Sequence, residues 1–131
     1  MSTHDKLRTP LKRARGLGSA KDGTHHFIMQ RITAIALVFL SVYVIGLVIS
    51  LIGGDYAAVR AAVANPVHAV LLVAFLVATF WHAQLGMQAI IEDYVHTAWL
   101  AVTSQLLVIF VCVLAAIASV LAVIRIALGG A

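Results

Sequence analysis

The sequence predicts an all-α membrane protein with three transmembrane helices, and three observations carry that prediction. Of its 131 residues, 63% are hydrophobic and 11% are charged, and the mean hydropathy of +1.04 lies far above that of a water-soluble domain. Asp, Glu, Lys and Arg are absent from three long runs, residues 32–52, 67–91 and 97–124. About 20 apolar residues cross the ~30 Å hydrocarbon layer as a helix, so each run suffices for one span and the third has length to spare for tilt. A soluble core, a sheet fold and a sizeable extramembrane catalytic domain are excluded, because the longest segment outside these runs is the N-terminal one, from Met1 to Arg31. Chemistry is expected inside the bilayer, at its edge, or on a partner.

Residues 1–31 form a basic segment. Seven of the nine basic side chains lie there (Lys6, Arg8, Lys12, Arg13, Arg15, Lys21 and Arg31), against Asp5 and Asp22, for a local balance of +5. By the positive-inside rule the N-terminus stays cytoplasmic. Three passes then put the loop 53–66 outside, the turn Glu92–His96 inside and the C-terminus in the periplasm. Gly16, Gly18 and Gly23 are expected to break any helix before the first span, leaving an orienting tail that touches lipid. No aromatic residue interleaves its charges, which argues against nucleic acid as a partner.

A three-helix transmembrane domain follows over residues 32–126. Its first run, from Ile32 to Ile52, is long enough to span and lacks an A-x-A-like exit, so it reads as a retained helix and not a cleaved signal. Asn65-Pro66 opens the second helix, with Pro66 suited to the first turn. Tyr56 outside, and Tyr94 and Trp99 inside, stand where aromatic belts form. Cys112, the single cysteine, lies deep in the third run and behaves as a small hydrophobe.

The second helix carries the informative residues. His82 precedes the inner end of its run at Ile91 by about 13.5 Å, which puts an imidazole near mid-membrane. The bilayer offers that ring neither a hydrogen bond nor a metal, so it points to function. Bonding to a neighbouring helix as structural glue is the alternative. Ala78 and Gly86 flank His82 one turn to either side, leaving room for a flat macrocycle to lie against the helix. From His82 to Asp93 a continuous helix would turn through a residual rotation of roughly 20° and rise roughly 16 Å. A helix continuing that far aligns a deep imidazole with an interfacial carboxylate and the phenol of Tyr94. Such a pair can hydrogen-bond a polar head whose tail lies in lipid, and can pass protons to water; a polar end to the span is the plainer reading. Arg31 is the last charge before the first run. It can snorkel to the interface, or pair with an acid such as a haem propionate.

The pattern His82-x3-Gly86-x6-Asp93-Tyr94, preceded by Asp22-Gly23-Thr24-His25 and Arg31, resembles the hydrophobic membrane anchor subunit of succinate dehydrogenase, respiratory complex II. The run from Arg8 to Lys21 is similar to that of the alphaproteobacterial branch of the family, and the resemblance covers essentially the whole chain. It implies that His82 is an axial ligand of a b-type haem shared with the companion anchor, a cytochrome b-type membrane subunit, so that this chain is half of a heterodimeric haem-binding helix bundle. It further implies that Tyr94 hydrogen-bonds ubiquinone with Asp93 on the proton path, and that His25 and Arg31 contact haem propionates. Ala78 and Gly86 would pack on the haem. His26 stands where the family usually has another residue and is given no role. Flavoprotein and iron–sulfur subunits would dock on the inner face of the bacterial inner membrane, with succinate oxidation and covalent catalysis lying outside this chain.

A shared haem also follows from the positions of the histidines. His25, His26 and His96 fall at the inner edge and His68 at the outer end of the second helix, so a six-coordinate haem at His82 needs its other imidazole from a partner. Two axial imidazoles leave no open position for oxygen and suit electron transfer. His68 stands about four helical turns before His82, as in a two-haem ladder, but a hydrogen-bonded His68 near the helix start is the preferred reading. The alternatives are a small proton-coupled transporter using His82 and Asp93 as a relay, and an anchor that keeps the fold without haem.

Overall fold

The computed structural model describes residues 20–129, with side chains from Thr24 onward. The basic run of residues 1–19 lies outside the described residues. Three long helices and one short one account for nearly all the rest: α1 (Ala20–Ser50), α2 (Tyr56–Ala64), α3 (Pro66–Tyr94) and α4 (Ala98–Ala127). The long helices have 31, 29 and 30 residues. At ~1.5 Å per residue each is about 45 Å long, enough to cross the hydrocarbon and both headgroup layers.

Helix α1 starts at Ala20, well before the first apolar run opens at Ile32, and Gly23 lies inside it. The expectation that Gly23 interrupts the helix is therefore corrected. A glycine inside a helix costs about 1 kcal/mol, whereas breaking the helix next to a bilayer would leave several backbone groups needing other partners. The helix ends at Ser50, and Gly53, at φ +84°, makes the left-handed turn that follows it.

The loop 53–66 contains the nine-residue helix α2, which the sequence reading did not separate from the connection. Asp55 caps its start, its side chain accepting from the Ala58 N–H at 2.8 Å. Asn65 then serves two helices. Its N–H donates to Ala62 O at 3.1 Å to close α2, and its Oδ1 accepts from the Val67 N–H at 2.9 Å to open α3, with Pro66 in the first turn as expected. At the far end α3 stops at Tyr94, a short turn joins it to α4, and Gly129, at φ +80°, follows the end of α4.

Helix α3 is the middle of the layer. It packs against α1 on one side and α4 on the other; among the described residues, α1 and α4 do not meet. Helix α2 lies against both α3 and α4. The buried apolar residues, Ala69, Ala78, Leu85 and Ile91, all belong to α3. Large side chains such as Phe39, 72% exposed, and Leu121, 53% exposed, cover the outer surfaces. This inverts a soluble fold, as expected for helices whose outer solvent is hydrocarbon.

Candidate functional site

The spacing of α1 turns His26, Met29, Gln30 and Thr33 toward α3. Thr33 is 7% exposed and is the one buried polar residue among the described residues. Its Oγ1 lies 2.9 Å from Met29 O and 3.1 Å from Gln30 O, both within its own helix, and 2.9 Å from His82 Nδ1 across the seam. The other ring nitrogen, His82 Nε2, is 3.5 Å from the Gln30 amide nitrogen. His82 is half-buried between the helices. His26 Nε2 and Gln30 Oε1 are buried without a hydrogen-bond partner among the described residues. Buried polar atoms almost always have partners, so these two mark a place where a further polar group fits.

The small residues beside His82 have different surroundings. Ala78 is buried in the helix layer. Gly86 lies under the Gln30 amide: a Cβ there would stand 3.7 Å from Gln30 Nε2, an ordinary contact. Nothing among the described residues therefore requires glycine at that position.

Asp93 and Tyr94 form the last turn of α3, so the helix does continue far enough to set Asp93 on the His82 side. Both are exposed, Tyr94 at 77%. The His96 Nδ1–H donates to Tyr94 O at 3.1 Å, and Gln88 Nε2 donates to Glu92 Oε1 at 2.8 Å. His25 lines a cleft of about 270 Å³ with His26 and Met29 of α1 and Trp81, Leu85 and Gln88 of α3. Arg31 stands with its guanidinium 5.0 Å above the Phe27 ring, on a side of α1 away from the seam. The fold thus joins His82 to α1 and brings His25 to an adjoining cleft. Asp93, Tyr94 and Arg31 stay open to whatever surrounds the chain.

Toward the Pro66 end, the Tyr43 hydroxyl is hydrogen-bonded to His68 Nδ1, with the rings stacked at 5.9 Å and 27°. The expected hydrogen-bonded His68 is what the structure contains.

Sequence reasoning passed over Thr33 and Gln30 and gave His26 no role. A threonine inside a helix ordinarily bonds back to its own carbonyls, as Thr79 does to Phe75 O and Thr103 to Trp99 O. What distinguishes Thr33 is its phase: it follows Gln30 and His26 at helical spacing, on the stripe that meets the helix carrying His82.

Three long apolar helices, with an imidazole held at the seam between the first two, level with the opening residues of the first apolar run, define a membrane-embedded subunit. The chain belongs to the succinate dehydrogenase/fumarate reductase transmembrane subunit family, whose model matches residues 5–121. It is 33% identical over 121 residues to the succinate dehydrogenase hydrophobic membrane anchor subunit of Rickettsia bellii, covering 92% of this chain and 96% of the relative. The subunit of the same name from Rickettsia conorii is 32% identical over 88% of this chain and 93% of its own length. That of Paracoccus denitrificans is 33% identical over 66% and 67%. With its three apolar helices, this chain is a multi-pass inner-membrane anchor subunit of the succinate dehydrogenase type.

Proposed function

We propose that His82 Nε2 would hold the iron of a b-type haem shared with a second subunit, and that Tyr94 and Asp93 shape the site of ubiquinone reduction. The observation that carries the haem reading is the different treatment of the two ring nitrogens of His82. Nδ1 is engaged at 2.9 Å by Thr33, while Nε2 faces only a long, 3.5 Å amide contact. An imidazole held by one nitrogen with the other available is the arrangement a metal-ligating histidine needs. The unpartnered polar atoms of His26 and Gln30 on the same seam, and a glycine at position 86 that its described neighbours do not require, also fit a macrocycle shared with a second subunit.

A companion cytochrome b-type anchor would supply the other histidine to the iron, with the N-terminus of this chain facing the cytoplasm. Flavoprotein and iron–sulfur subunits bind at the end of the layer that carries Asp93 and Tyr94, and deliver there the electrons from succinate oxidation in the tricarboxylic acid cycle. When bound, the haem supplies a one-electron centre inside the membrane. Reduction of the quinone takes up two electrons and two protons. The Tyr94 hydroxyl donates a hydrogen bond to one quinone carbonyl, and Asp93, beside it and open to water, passes protons. His25 and Arg31 would contact the propionates, a cation and a hydrogen-bonding ring suited to carboxylates. This chain binds no succinate, flavin or iron–sulfur cluster, and alone it has no catalytic activity.

A reduced-minus-oxidised visible spectrum of the purified complex tests the reading. A b-type band present in the wild type and absent in His82→Ala is the expected result. Full quinone reduction without a haem signal would identify the haem-free anchor instead.

A further inference from the structure

We infer that Thr33 is the positioning residue of His82: its hydroxyl holds the ring through Nδ1 as the Nδ1–H tautomer and leaves the Nε2 lone pair to a ligand. This rests on the haem reading above and goes beyond it, since a histidine ligand does not by itself say what holds it.

Counting protons fixes the tautomer. Thr33 Oγ1 has one proton and three neighbours within hydrogen-bond distance: Met29 O at 2.9 Å, Gln30 O at 3.1 Å and His82 Nδ1 at 2.9 Å. The two carbonyls can only accept, so the hydroxyl proton goes to them, as in the other helical threonines of this chain. A lone pair of Oγ1 is then left facing His82, and the contact at Nδ1 is made only if Nδ1 carries hydrogen. The Gln30 amide, 3.5 Å from Nε2, is compatible with a lone pair there when its nitrogen faces the ring. The Thr33 side of the ring therefore calls for hydrogen on Nδ1, which leaves an electron pair on Nε2, the form that binds a metal.

The result is a chain of donors running from His82 Nδ1–H to Thr33 Oγ1, and from the Thr33 hydroxyl to a carbonyl of α1. The burial of Thr33 excludes water as a substitute. A donor chain ending on a backbone carbonyl raises the electron density that the ring would offer a bound iron, which favours ferric over ferrous iron and lowers the reduction potential.

Thr33→Val and Thr33→Ser in the intact complex test this. Valine keeps the shape and removes the hydroxyl, while serine keeps the hydroxyl and removes the methyl. The expected result for Thr33→Val is a haem potential moved upward, altered low-spin electron paramagnetic resonance g values, and haem affinity lowered on the order of 10- to 100-fold. Thr33→Ser should restore the wild-type potential and spectrum. An unchanged potential and spectrum in Thr33→Val overturns the inference, as does a loss that serine fails to restore, which would assign Thr33 to packing. A wild-type complex without a b-type band, or one that keeps it in His82→Ala, overturns the haem reading and this inference with it.

Discussion

At the level of single residues, α3 carries two kinds of polar group, one along its length and one at its end. His82 is half-buried and held through Nδ1, whereas Tyr94 is exposed and held, among the described residues, through its backbone carbonyl. Changes at Tyr94 should therefore leave the seam intact. Tyr94→Phe removes one hydroxyl from the proposed quinone contact, and a hydrogen bond worth about 1.4 kcal/mol corresponds to roughly ten-fold in turnover. Steady-state succinate–quinone assays should show that loss while the haem content stays at the wild-type level. Equal loss of haem would mean that the two sites do not act separately. His82, Asp93 and Tyr94 were legible because an ionisable group in or beside an apolar run stands out against its neighbours. His26 and His25 were not distinguishable in that way. They differ by about 100° around α1, and which one meets α3 is decided by the rotation of one helix against another.

At the level of elements, what the sequence made plain was whatever depends on local chemistry. The three apolar runs became the three long helices, and Asn65-Pro66 opened α3 with the cap that its side chain suggests. Helix α2 was hidden because so short a segment does not register as a span, although Asp55 followed by an alanine-rich run is a sufficient local signal in retrospect. Pairing between elements was less legible, because small side chains fit many helix contacts. Here two polar links tie α1 to α3: Thr33 and Gln30 to His82, and Tyr43 to His68 near the other end. The second link can be cut without touching the first. Tyr43→Phe should lower the stability of the α1–α3 pair by about 0.6 kcal/mol, and by no more than about 1.7 kcal/mol, the range found for hydrogen bonds between membrane helices. A small fall in the thermal midpoint of the detergent-solubilised complex, with haem content unchanged, is the expected outcome. Loss of haem on this change would mean that the outer link sets the geometry of the inner seam.

For the whole molecule, the decisive property is direction. Asp93 and Tyr94 are useful to a quinone site only if their end of α3 faces the compartment in which electrons and protons are supplied. The layer itself has no preferred side, because both surfaces are apolar and the long helices are of nearly equal length. Charge breaks that symmetry. The basic residues concentrate before the first span, and the cytoplasmic N-terminus proposed on that ground would put the Tyr94 end inside and α2 outside. Cys112, the one native cysteine, is half-buried in α4, so a Cys112→Ala background allows single reporters to be placed at either end. Ala57 in α2 and Thr97 before α4 are both exposed. Cysteine at position 57 should react with a membrane-impermeant maleimide added to intact spheroplasts, and cysteine at position 97 only in inverted vesicles. The opposite pattern would put Asp93 and Tyr94 on the periplasmic side, away from the cytoplasmic protons and soluble subunits, and neither residue could then serve the reaction proposed for it.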